Sequence, residues 1–163
     1  MPGVARGGPG GAGPARNCTA VPALVDTNVL VYRFDPRHPA KQNRATALLR
    51  GGIEGQSLYL AHQTIVEFVA AVTRPLSGGR PLLTLAEAVR ETEELCDQFV
   101  VLLPDELLIR TALRGTAAYQ LPWFDAHMWA YAERNGIPEI RSEDFQHGRR
   151  YGSVRAVNPF LAG

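Results

Sequence analysis

The chain has 163 residues, 45% of them hydrophobic and 20% charged, with a formal net charge of +1, a size that suits one domain with a proper core rather than two. The near-neutral balance excludes a histone-like polycation, so any attraction to nucleic acid must come from basic groups gathered on one face or from metal ions. The two cysteines, Cys18 and Cys96, have neither CxxC nor paired spacing; this argues against a disulfide scaffold or zinc site and fits a reducing cytoplasm, while the chain lacks both the apolar core of an export signal and the run of about 18 apolar residues needed to cross a membrane.

Residues 1–19 are mostly Gly, Pro, Ala and Arg with almost nothing to bury, and they read as a disordered tail ahead of one folded unit over residues 20–163. The apolar run AVPALV then halts at Asp26, which predicts a first buried strand over residues 23–25. A helix is expected from Pro39 to Arg50, stopped by Gly51-Gly52, and a second strand over residues 57–61. In TIVEFVAAVTRP, the i, i+3, i+4, i+7 spacing of Ile65, Phe68, Val69 and Val72 predicts a helix ended by Pro75. Thr84 and Glu87 have capping-box spacing at the start of the next helix, whose expected apolar stripe is Leu85, Ala88, Val89, Cys96 and Phe99. VVLLP is a third strand, residues 105–119 a further helix, and WFDAHMWAYAERNG another that Gly136 can close. Strands over residues 139–141 and 154–157 complete the set. Short apolar strands alternating with helices predict an α/β domain, three-layer α/β/α, with a central parallel sheet of four to five strands. Binding crevices in such sheets lie beyond the carboxyl ends of the strands.

Four acids fall where that crevice is expected. Asp26 directly follows the first strand, Asp144 follows the fourth, Asp125 opens the helix before the fourth strand, and Glu67 lies on the helix after the second. Each has a plainer alternative: Asp26 as a turn or helix cap worth about 1 kcal/mol, Asp125 as a first-turn charge worth about 0.3–1 kcal/mol, Glu67 as a solvated side chain and Asp144 as a loop acid. Gathered within a few ångströms they would repel by about 1–4 kcal/mol per pair, and a positive charge must offset that. An all-carboxylate set suits Mg²⁺, with Mn²⁺ as the other possibility, over zinc. Such an ion supports metal-assisted hydrolysis of a nucleic-acid phosphodiester.

Taken in order, LVDTNVLVY, TIVEFVAAVTRP, WFDAHMWAYAE, RSEDFQHG and VNPF resemble the PIN-domain ribonucleases, specifically the VapC toxins, over residues 23–160. The resemblance implies that Asp26, Glu67, Asp125 and Asp144 are the acidic metal-site positions, supported by Thr27, Asn28 and Ser142. It further implies an RNA substrate cut endonucleolytically, a homodimer, and a cognate VapB-type antitoxin. The chain departs from the family in its long N-terminal stretch and in carrying His127 and Trp129 where aliphatic residues are common.

Other residues offer weaker signals. His62, His127 and His147 lie near the acidic motifs in sequence and are candidates for a general base or metal ligand, but residues i and i+2 of a helix, such as Asp125 and His127, do not share a face, which favours packing or surface roles. Arg33, Arg37 and Lys41 after the first motif, and Arg141, Arg149, Arg150 and Arg155 around the last, are candidate phosphate contacts or simply solvated charges. Trp123 and Phe124 are candidates to stack a base or to pack. Two other functions compete: a non-catalytic RNA-binding or assembly module on the same fold, and a DNA-directed nuclease of similar architecture.

Overall fold

A computed structural model describes residues 20–161; the expected tail, residues 1–19, lies outside them. In chain order the elements are β1 (Ala23–Val25), α1 (Thr27–Tyr32), α2 (Pro39–Gly55), β2 (Leu58–Ala61), α3 (His62–Thr73), α4 (Leu85–Gln98), β3 (Val100–Leu102), α5 (Glu106–Tyr119), α6 (Trp123–Arg134), β4 (Glu139–Arg141), β5 (Arg150–Tyr151) and β6 (Val154–Val157). The strands form one sheet in the order β3-β2-β1-β4-β6-β5, parallel except for β5. No helix among the described residues is long and apolar enough to cross a membrane.

Successive side chains of a strand point to opposite faces, and here each face is covered. Ala23 and Val25 of β1, with Leu58 and Leu60 of β2, pack against α1, α2, α3 and α4 through Leu30, Leu49, Phe68 and Leu95. Leu24, Ala61, Ile140 and Ala156 face the other way, against Leu108 and Ala112 of α5 and Met128 and Trp129 of α6. This alternation makes three layers, and it explains why β1 and β2 read as unbroken apolar runs.

Register and strand order together locate the crevice. Val25 pairs with Leu60 on one side and with Arg141 on the other, so β1, β2 and β4 end level with one another. From β1 the chain proceeds outward through β2 and β3, then returns to place β4 on the opposite flank of β1. That reversal is a topological switch point, where a cleft opens because consecutive crossovers leave in opposite directions.

Three expectations are corrected. The helix from Pro39 runs through Gly51-Gly52 to Gly55 and ends at Gln56, which adopts φ 48°. A Cβ on Gly52 would stand 2.1 Å from Leu58 Cδ1, so this glycine serves close helix–strand packing. On α4 the buried residues are Ala88 and Leu95, whereas Leu85 and Val89 are largely exposed and Cys96 is at the surface. The latter three sit about 60–100° round the helix from Ala88, and only a narrow strip of α4 meets the core. The capping box at Thr84 and Glu87 forms as its spacing predicts. Finally, the sheet has six strands: residues 150–151 turn back at Gly152, φ 62°, to pair antiparallel with β6. Two residues are too short to show a periodicity of their own.

A close approach on the other face accommodates Trp129. A Cβ on Gly115 of α5 would lie 2.5 Å from Trp129 Cε3, so glycine there makes the recess that the indole fills. The ring packs edge-on against Tyr119 at 5.3 Å, and its Nε1 donates to the Tyr151 carbonyl at 2.8 Å. The bulky departure at position 129 is thus matched by a missing side chain on the facing helix.

Candidate metal centre

Asp26 leaves β1 at the switch point and becomes the N-cap of α1. Its Oδ1 accepts from the Thr27 amide at 2.7 Å, and its Oδ2 accepts from Ser142 Oγ at 2.6 Å and from Asn28 Nδ2 at 3.3 Å. Asp26 thus caps α1 with one oxygen while the other is held by Ser142 from beyond β4. Only 6% of Asp26 is exposed. Burial pushes its carboxyl up to about 6; the Ser142 and Thr27 hydrogen bonds oppose that rise, and the charges of Asp144 and Asp125 add to it.

Asp144 lies in the loop after β4, with its carboxylate at the surface. The same Asn28 amide that reaches Asp26 donates to Asp144 Oδ2 at 3.0 Å and approaches Ser142 Oγ at 3.4 Å. Ser142 Oγ also accepts from the Asp144 backbone amide at 3.0 Å. One amide and one hydroxyl thereby tie the ends of β1 and β4 together. Asn28 Oδ1 is buried and has no hydrogen-bond partner among the described residues.

Glu67 stands half-buried on α3, and both of its oxygens are held. Thr27 Oγ1 donates to Oε2 at 2.8 Å and Gln63 Nε2 donates to Oε1 at 2.9 Å. Gln63 also donates to the Phe124 carbonyl at 3.2 Å, which links α3 to the first turn of α6. Asp125 occupies that turn. Burial raises its carboxyl above the ordinary value, and the charges of Asp144 and Glu67 raise it further.

The structure thus brings all four predicted acids to the carboxyl edge of the sheet, each near enough to another to perturb its ionisation or share a hydrogen-bond donor. Among the described residues, no three Asp, Glu, His or Cys side chains converge tightly enough to hold an ion where they stand. The donor chemistry nevertheless fits a hard divalent cation: four carboxylates and the unpartnered Asn28 oxygen are all oxygen donors. Burial, and then the neighbouring carboxylates, hold the Asp26 and Asp125 carboxyls above their ordinary pKa, and a bound cation would offset both effects.

Gln63 is the site residue that sequence reasoning missed. Its i, i+4 relation to Glu67 was the available signal. The histidines have other occupations: His127 Nδ1 bonds the Trp123 carbonyl, the His147 ring accepts from the Asn158 amide, and His62 is exposed at the start of α3. Of the candidate phosphate contacts, Arg141 folds back onto Glu139 at 2.6 Å, Arg149 lies over the Tyr151 ring and Arg33 over Phe34. Arg150 and Arg155 are exposed at the β5–β6 edge. Trp123 and Phe124 are exposed at the start of α6, beside Asp125.

A family profile described as "PIN domain" matches residues 23–152. No curated protein sequence matches this one significantly. Among solved structures the chain is similar to one in the FitAB complex bound to an IR36 DNA fragment, at 21% identity and a TM-score of 0.61, covering 86% of this chain and 97% of that one. It is similar to a chain of the DNA-bound VapBC complex from Salmonella typhimurium, at 12% identity and a TM-score of 0.60, covering 84% and 97%. VapC20 from Mycobacterium tuberculosis, described as a toxin that cleaves the sarcin-ricin loop, aligns at 15% identity and a TM-score of 0.51, over 72% and 86%. At these identities the likeness is one of fold.

Proposed function

Because the chain belongs to the PIN-domain family, we propose that it is a magnesium-dependent endoribonuclease, the toxin of a VapBC-type pair acting in the cytoplasm. The observation that carries this reading is the ordered acidic edge of the sheet: Asp26, Glu67, Asp125 and Asp144, from four separate segments, are joined by hydrogen bonds and mutual charge. Mg²⁺ or Mn²⁺ bound there would supply charge neutralisation for the scissile phosphate and a lowered pKa for the attacking water.

The protein's own groups divide the remaining work. Asp26, Asp125 and Asp144 are the proposed cation ligands, with Glu67 helping to hold the ion or orient the water. Ser142 and Asn28 keep Asp26 and Asp144 in fixed relation. Thr27 and Gln63 leave the Glu67 carboxylate little freedom to rotate. Preorganising these groups reduces the reorganisation required when substrate arrives.

A VapB-type antitoxin and a second copy of the chain belong to the same proposal. The FitAB and VapBC neighbours are chains of two-component complexes. Leu107 and Leu113 of α5 and Phe124 of α6 are each more than half exposed, at 58%, 55% and 66%, and such apolar surface is what a protein partner covers.

The direct test is incubation of protein verified as folded by circular dichroism with matched RNA and DNA strands, in magnesium and after chelation by EDTA. Cleavage of RNA alone, abolished by EDTA and restored by excess Mg²⁺, is the expected result. Cleavage that survives EDTA would overturn the metal-dependent reading. Binding without cleavage would favour an RNA-binding module, and equal cutting of DNA a broader nuclease.

A further inference from the structure

Beside the acidic edge lies a cavity of about 400 Å³ that shares Thr27, Asn28 and Asp144 with it and is walled on the far side by Tyr32, Arg37 and His38. We propose that this cavity receives a nucleobase of single-stranded RNA next to the phosphate that is cleaved, an inference that rests on the ribonuclease reading above.

The far wall carries three flat groups, Arg37 and Tyr32 fixed by hydrogen bonds and His38 set edge-on against Tyr32. Asp35, its side chain 3% exposed, accepts from Arg37 at the backbone N (3.1 Å), Nε (2.8 Å) and Nη2 (2.7 Å). The guanidinium plane is therefore fixed, while 54% of the Arg37 side chain faces solvent. Tyr32 is anchored through its hydroxyl, which donates to Glu143 at 2.6 Å and accepts from Lys41 at 2.8 Å, while the Lys41 ammonium lies 4.3 Å from the ring centroid and the Phe160 ring packs edge-on at 5.0 Å. Lys41 completes the triangle by donating to Glu143 at 2.5 Å. The His38 ring meets the Tyr32 ring edge-on at 5.6 Å. His38 is exposed and occupies the N-cap of α2, yet its side chain makes no capping bond.

A phenol, an imidazole and an immobilised guanidinium suit a planar heteroaromatic guest, because every base offers a π face to such groups. Position adds the class of guest: a base within reach of this wall belongs to the nucleotide adjoining whatever phosphate meets Asp144. It must be unstacked to enter, which selects a single strand over a duplex. A bare phosphate fits less well, since the Nε–Nη2 edge of Arg37 that would grip it is occupied by Asp35, and Asp144 adds negative charge to the same cavity.

The test compares the parent with His38→Ala and His38→Phe, all verified as folded by thermal melts. Binding of fluorescein-labelled RNA hexamers of each base is followed by anisotropy in EDTA, and cleavage is followed in Mg²⁺. His38→Ala is expected to weaken hexamer binding about 10-fold and to raise KM with kcat retained, while His38→Phe restores most of the affinity. Equal affinity and an unchanged KM in His38→Ala would overturn the proposal, even if the parent cleaves RNA normally. Weakened binding in His38→Ala with no cleavage by the parent would uphold the base site and defeat the nuclease reading instead.

Discussion

Asp26→Asn is expected to lower RNA cleavage by about 1,000-fold, because that factor corresponds to about 4 kcal/mol and a coordinated cation supplies several kcal/mol of transition-state stabilisation. The side chain keeps its size, so the loss reports charge and coordination rather than packing. Stability should move the other way as pH rises. Asp26 titrates at about 6 in the folded protein against an ordinary value of 3.8, so between those values the native state binds more protons than the unfolded chain. The parent therefore loses stability as pH rises through that window, by about 3 kcal/mol in total for a shift of this size. Asparagine carries no such charge. Urea unfolding of both proteins in metal-free buffer should show the difference in unfolding free energy shifting toward the variant by about that amount from pH 4 to 7. A difference that stays constant with pH would mean that the Asp26 carboxyl is not strained by burial.

Trp129→Ala should be the most damaging change away from the site. It empties the recess opposite Gly115, removes the edge-on contact with Tyr119 and leaves the Tyr151 carbonyl without its indole donor. A large buried aromatic truncated to alanine costs about 3–5 kcal/mol, and an unsatisfied buried carbonyl adds about 1–3 kcal/mol. Thermal unfolding should register a drop of roughly 10 °C or more at this chain length. Trp129→Phe, which keeps a ring but no donor, should fall between the two. If Trp129→Ala melts within about 2 °C of the parent, the helix pair α5–α6 does not depend on this contact.

What the sequence made legible follows from which physical signals are local. The three-residue β1 could be read because a parallel strand covered on both faces is an apolar run, and because Asp26 ends that run with a charge that belongs only at its exposed end. The capping box at Thr84 and Glu87 was legible for the same reason, since its partners are three residues apart. Gly51-Gly52 misled because glycine is both a helix breaker and a close-packing device, and Leu58, which decides between them, acts only once β2 has docked. The rotation of α4 depends on which strip of the helix meets α3, a tertiary choice that exposes Leu85 and Val89.

The acids of the candidate site were nameable from sequence, but their wiring was not. Asn28 is bonded to Asp144 across 116 positions, and Lys41 to Glu143 across 102. No periodicity encodes such pairs; they arise because the parallel register brings the ends of β1 and β4 level. Nothing local in the sequence marks Glu143, yet in the fold it fastens the loop of Asp144 to α1 and α2 through Tyr32 and Lys41.

The central claim is that the acidic edge takes up a divalent ion, and Mn²⁺ titration followed by the electron paramagnetic resonance of the free ion tests it without recourse to catalysis. The account predicts saturable uptake by the parent, displaced by Mg²⁺, retained in Glu94→Gln on exposed α4 and lost in Asp26→Asn and Asp144→Asn. Equal uptake by the parent and both aspartate variants, or no saturable uptake at all, would contradict it.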